Sequence, residues 1–144
     1  MTEVVNDWPP NIEAIREVLP VSDRNIFAYD EVIYNPGAGA LSNALIAHEE
    51  VHFSQQASTP GGPEQWWKKF LASPSFRLSQ EIDAHRMEWR VWLARGRRST
   101  LERRGMLKSL SKRLAAPMSG GVVSIAKAKK AIKSGVESPR CSMS

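Results

Sequence analysis

The stretch Ser42-Asn43-Ala44-Leu45-Ile46-Ala47-His48-Glu49-Glu50-Val51-His52-Phe53-Ser54-Gln55-Gln56 decides how the rest of the chain is read. Ser42 offers a helix N-cap, and Asn43 to Gln56 contains neither Gly nor Pro, so the segment predicts one helix. Thr59-Pro60-Gly61-Gly62 stops it. Inside it lies H-E-x-x-H. Residues four apart on an α-helix return to nearly the same face, about 6 Å along the axis. His48 and His52 so placed can converge on one Zn²⁺, whose bonds to imidazole nitrogen are about 2.0–2.1 Å. Glu49, beside the first histidine, is angled toward a metal-bound water rather than the metal. That is the position of a general base. The bland alternative is a surface helix with accidental spacing.

A zinc site needs a third protein ligand. The metzincin pattern would put another histidine soon after His52, but Phe53-Ser54-Gln55-Gln56 offers none. A long helix is expected from Phe76 to Arg95, ended by Gly96, with an apolar stripe of Leu78, Ile82, Trp89 and Trp92. Glu81 and His85 sit one turn apart on that inward side. A buried carboxylate and imidazole are costly there unless paired or metal-bound. Glu81 is therefore the expected third ligand, leaving a fourth position for water. The chain's three histidines are His48, His52 and His85, so all fall in or beside one site.

Glu81-Ile82-Asp83-Ala84-His85 resembles the E-x-x-A-D element of gluzincins, zinc peptidases whose third ligand is a glutamate on a later helix. The resemblance implies that Glu81 binds metal. His85 replaces the Asp that supports a ligand histidine in that group. His85 is then open to several roles: a bond to Glu49 or to a ligand, a contact to substrate, or metal ligation in place of Glu81. Glu31-Val32-Ile33-Tyr34 followed by Leu45-Ile46-Ala47-His48-Glu49 looks like the edge strand and active-site helix of minimal gluzincins. The run from Trp66 through Arg77 to Trp92, with Leu114-Ala115-Ala116-Pro117, resembles short metallopeptidase-like proteins encoded by tailed phages and prophages. The resemblance spans residues 26–120. It implies a metallopeptidase holding one zinc per chain, with Glu49 as general base and a peptide or protein as substrate. The peptide would pair with the strand near Val32–Tyr34 by β-augmentation. Tyr29, Tyr34 and Arg86 are candidates to stabilise an oxyanion, and Gln55 and Gln56 to brace the site.

The remaining elements complete a mostly helical α+β chain. Asn11 to Leu19 predicts a short helix with Asn11 as N-cap, stopped by Pro20. Ile26–Tyr29 and Val32–Tyr34 predict a hairpin or two edge strands. Pro63 opens a helix through Leu71 carrying Trp66, Trp67 and Phe70, and Ser73-Pro74 interrupts. Ser99 or Thr100, with Glu102 behind, starts a helix to Ala116; Pro117 to Gly121 break it, and a basic helix spans Val122 to Lys133. The tryptophans are expected to pack the downstream helices against the His48 helix. Residues 1–116 are thus expected to form a zincin-like metallopeptidase domain and 117–144 a basic helical tail.

A chain of 144 residues, 42% hydrophobic, suffices for one core. The single cysteine, Cys141, excludes a cysteine-based metal cluster and an internal disulfide. No signal peptide and no transmembrane run are visible, which predicts a cytoplasmic protein. The net charge of +5 is unevenly spread: residues 1–94 carry 7 Lys/Arg against 13 Asp/Glu, and residues 95–144 carry 13 against 2. The basic half suits an anionic partner such as nucleic acid or membrane, or is a solvated face. Two other functions stand beside the hydrolase: a non-catalytic, zinc-stabilised phage structural or assembly protein, and a nucleic-acid-binding protein acting through the basic half.

Overall fold

A computed structural model describes residues 2–116 and 123–137. In chain order these form β1 (Glu3–Val5), α1 (Ile12–Val18), β2 (Phe27–Tyr29), β3 (Val32–Tyr34), α2 (Asn43–Ala57), α3 (Gly62–Ala72), α4 (Pro74–Ala94), α5 (Thr100–Ala115) and α6 (Ile125–Glu137). The expected class, α+β and mostly helical, is what is found. No helix among the described residues is long and apolar enough to cross a membrane.

The helix ends follow local chemistry. Ser42 Oγ accepts from the Leu45 amide at 3.1 Å and caps α2. Pro74 does not interrupt a helix but begins one. Ser73 Oγ accepts from the Phe76 amide at 3.1 Å, so α4 starts two residues before Phe76 with Pro74 in its first turn, where no amide is missed. Ser99 and Glu102 form a reciprocal capping box on α5, at 2.8 and 3.0 Å. Asn11 precedes α1, but its side chain makes no cap; the Ile12 amide bonds Pro9 O at 3.1 Å and Asn11 Oδ1 is buried without a partner. Gly61 (φ +92°) admits no side chain before α3, because a Cβ there would lie 2.8 Å from that of Gln65. α6 begins at Ile125 rather than Val122; Val122 and the expected break at 117–121 lie outside the described residues.

β2 and β3 form the expected hairpin through Asp30 (φ +49°) and Glu31 (φ +65°), a two-residue turn whose twist matches the strands. β1, unforeseen in the sequence, pairs parallel with the other side of β3, giving the order β1-β3-β2. Val32–Tyr34 is therefore the central strand and not an edge, and both of its sides are already paired. The expected docking of a peptide along it is corrected by this topology. The strand against α2 is β2, and it is fastened there by Gln56. Gln56 Nε2 donates to Ala28 O at 2.8 Å and its Oε1 accepts from the Asp30 amide at 3.0 Å, while Trp67 Nε1 donates to Ala28 O at 3.0 Å.

Two apolar cores flank the α2–α4 pair. The first joins Ile15, Leu19, Phe27, Trp66, Trp67 and Phe70 under the sheet; the second joins Trp89, Leu107, Leu110, Leu114, Ala128 and Ile132 between α4, α5 and α6. The tryptophans thus divide, with Trp66 and Trp67 in one core and Trp89 in the other, where Trp92 stacks on it with centroids 5.6 Å apart. Part of the segment read as a tail is built into the second core, since Ala128 and Ile132 are fully buried.

Candidate metal centre

The inward face of α2 is polar: Ala44, His48, Glu49, His52 and Gln56 are its buried residues. Opposite, α4 buries Arg77, Ala84, His85, Glu88 and Trp89, with Glu81 between them at 12% side-chain exposure. Each buried polar group must find a partner, or its burial costs about 2–7 kcal/mol. The partners are one another. His48 Nε2 lies 3.4 Å from Glu81 Oε1, and His52 Nε2 lies 3.0 Å from Glu81 Oε2. These three residues each offer a ligand atom within 4.8 Å of the other two, and the group can hold a metal ion. A tetrahedral ion with bonds of about 2.0–2.1 Å separates its ligand atoms by about 3.3 Å, and each imidazole meets one oxygen of Glu81 at a comparable distance, His48 at Oε1 and His52 at Oε2.

The far nitrogens of both histidines are held. His48 Nδ1 is 2.9 Å from Glu88 Oε1, and Glu88 Oε1 is itself bonded by the Arg113 guanidinium from α5. His52 Nδ1 is 2.8 Å from Gln55 Oε1, and Gln55 Nε2 donates to Gln80 O at 3.0 Å. With each Nδ1–H donated to an oxygen acceptor, each Nε2 is aimed at Glu81, to which it donates a proton in the bare protein and beside which it would offer its lone pair to a metal. This is how proteins orient metal-binding imidazoles.

Electrostatics point the same way. Burial alone would lower the His48 pKa, but bonds to Glu81 and Glu88 and the charge of Glu49 raise it to about 10. His52 is raised likewise, against burial, chiefly by Glu81. Burial pushes Glu81 up, yet the histidines hold it well below the ordinary carboxylate range. Burial raises Glu49, reinforced by Glu81 and Glu88 and opposed by His48 and His52. Such a cluster demands positive charge at its centre. Protons on the histidines supply it in the bare protein, and a divalent cation is the other way to do so.

His48, His52 and Glu81 come together as the spacing anticipated, with Glu49 buried alongside, its Oε2 3.7 Å from His48 Nε2. His85 stays outside the group. Its Nδ1 bonds Glu81 O on its own helix at 2.7 Å, its ring packs edge-on against His48 with centroids 4.7 Å apart, and its Nε2 is buried without a partner. Burial, with the charges of His48 and Arg113, lowers its pKa to about 4, so it is neutral. A cavity of about 320 Å³ opens over these residues, walled on its other side by Phe27, Leu45, Trp66 and Phe70.

Several expectations about supporting groups need correction. Tyr29 and Tyr34 pack against the first core and do not line the cavity. Arg86 turns away to α6, donating to Ala131 O at 2.8 Å. Of the two glutamines, Gln55 braces the site and Gln56 holds the sheet. Glu88 and Arg113 went unnoticed in the sequence. Glu88 is legible in retrospect, because Glu81, His85 and Glu88 at i, i+4 and i+7 share one helix face. Arg113 comes from another helix and has no local signature. No family model, curated protein or solved structure matches the chain.

Proposed function

We propose that this chain is a zinc-dependent hydrolase of gluzincin type, cleaving peptide or amide bonds. The observation that carries the reading is the convergence of His48 Nε2, His52 Nε2 and the Glu81 carboxylate from two helices, with both Nδ1 atoms already engaged. Two nitrogens and one carboxylate oxygen form the donor set of a catalytic zinc, which keeps one position open. A structural zinc takes four protein ligands, and among the described residues three converge; His85 spends its Nδ1 on Glu81 O.

Zinc held there supplies Lewis acidity, acidifying water and polarising a carbonyl. The protein's own groups do the rest. Glu49 takes the proton of the attacking water and passes it to the leaving amine; burial, by raising its pKa, suits it to both transfers. Glu88 and Gln55 keep the two imidazoles in one tautomer. Phe27, Trp66 and Phe70 give the cavity an apolar wall for a substrate side chain.

Metal analysis of the purified protein should find one zinc per chain, lost when His52 is changed to Ala. In a broad peptide-cleavage screen, Glu49→Gln should lower turnover by about 10³-fold while zinc is retained. A Glu49→Gln protein that cleaves as fast as the parent would end the mechanism.

A further inference from the structure

The cations of the C-terminal half have an ordered placement. α5 and α6 bury apolar residues against one another: Leu107, Leu110 and Leu114 are at most 5% exposed, and Ala128 and Ile132 are 0% exposed. Apart from Arg113, which reaches in to Glu88, the described cations of α5 and α6 are left outside. Arg104, Lys108 and Lys112, at i, i+4 and i+8, form an exposed row along α5 about 12 Å long. On α6, Lys127 lies on one flank of the buried pair, Lys129 and Lys133 on the other, and Lys130 opposite it, all exposed. α6 thus presents cations on every side that it does not bury. Among the side chains described on the two helices, the single carboxylate is Glu102, committed to its capping box.

We infer that the α5–α6 face binds the phosphate backbone of double-stranded nucleic acid without reading its sequence. A row of fixed cations with almost no acid among them meets a polyanion by phosphate contacts and counterion release. An anionic membrane fits less well. A helix that lies in a bilayer surface needs a free apolar face, and here that face is consumed in the core; Leu101 and Ile125 are exposed only singly, each in a first turn. A single strand also fits less well, because such sites stack bases on aromatic rings. Neither α5 nor α6 contains an aromatic residue, and nearby Trp92 is covered by Arg98 at 4.2 Å.

The test is fluorescence anisotropy of the full chain with a labelled mixed-sequence DNA duplex of about 20 base pairs, at 50 to 200 mM salt. With about five phosphates engaged, affinity should fall by about 500-fold across that range, a log–log slope near about −4.5. Arg104→Gln, Lys108→Gln and Lys112→Gln combined should flatten the slope to about −1.8. Lys68→Gln with Lys69→Gln, on the exposed side of α3, should leave it unchanged. The inference is overturned if the α5 triple variant keeps the parent slope, or if the α3 pair flattens it as much. It is overturned equally by tighter binding to a single strand of the same length, or by binding to phosphatidylserine vesicles without binding to the duplex.

Discussion

Helices α2 and α6 are opposites in what they hide. α2 turns His48, Glu49, His52 and Gln56 inward, whereas α6 buries Ala128 and Ile132 and sends its lysines out. Both are well-formed helices, so backbone propensity does not separate them. The difference lies in what faces each one. α6 meets leucines, where burial is favourable by itself at roughly 25 cal/mol per Å². α2 meets Glu81, Glu88, β2 and the Gln80 carbonyl, where burial is tolerated because His48, His52, Gln55 and Gln56 each find a polar partner. The packing of α5 on α6 is held by area, and the seam between α2 and α4 by pairing.

That contrast can be broken from either side. Leu114→Ala, in the apolar half, should cost about 2–5 kcal/mol in chemical denaturation and leave the zinc content of the folded protein unchanged. If zinc were lost in step with stability, the halves would not be separable in this way. A smaller effect is expected from Glu88→Gln, which keeps the shape but removes the charge beside His48 Nδ1. Zinc affinity should fall by about 10–100-fold in a chelator competition, with little change in Leu114-type stability. An unchanged affinity would show that Glu88 serves the fold alone.

The smallest effect per step is a matter of pH. In metal-free protein the folded pKa of His48 is raised from 6.5 to about 10, so its contribution is complete below about 6.5 and is lost as pH rises through about 10. Between those values metal-free stability should decline, by at most about 1.4 kcal/mol per pH unit for this proton. Zinc reverses the sign, since a metal-bound histidine carries no proton in the folded state; stability should then rise with pH up to about 6.5. Thermal melts with and without zinc check both limbs. A metal-free melting temperature that is flat from pH 7 to pH 10 would contradict the charge pattern described for the cluster.

How far the sequence could be read follows the same division. α2 was legible to within a residue because its cap, its length and its uninterrupted interior are all local. Glu81 was legible because a carboxylate on an apolar stripe needs a reason. The start of α4 was misjudged because Pro74 has two opposite meanings, stop and first turn, and only the Ser73 cap decides between them. β1 was missed because three residues take strand form from pairing with β3, far along the chain, and not from their own pattern. That missed strand moved β3 from the edge to the centre, so its backbone is paired on both sides. Arg113 was out of reach for the same reason: its meaning exists only where α5 passes Glu88.

The contact from Arg113 through Glu88 to His48 has a consequence for the order of events as the chain is made. His48 and His52 leave the ribosome early, and Glu81 soon after. The guanidinium that steadies their support emerges only near the end of α5. Any ion held there by a nascent chain would therefore be held loosely at first, and would be gripped fully only once α5 had been synthesised and had folded back.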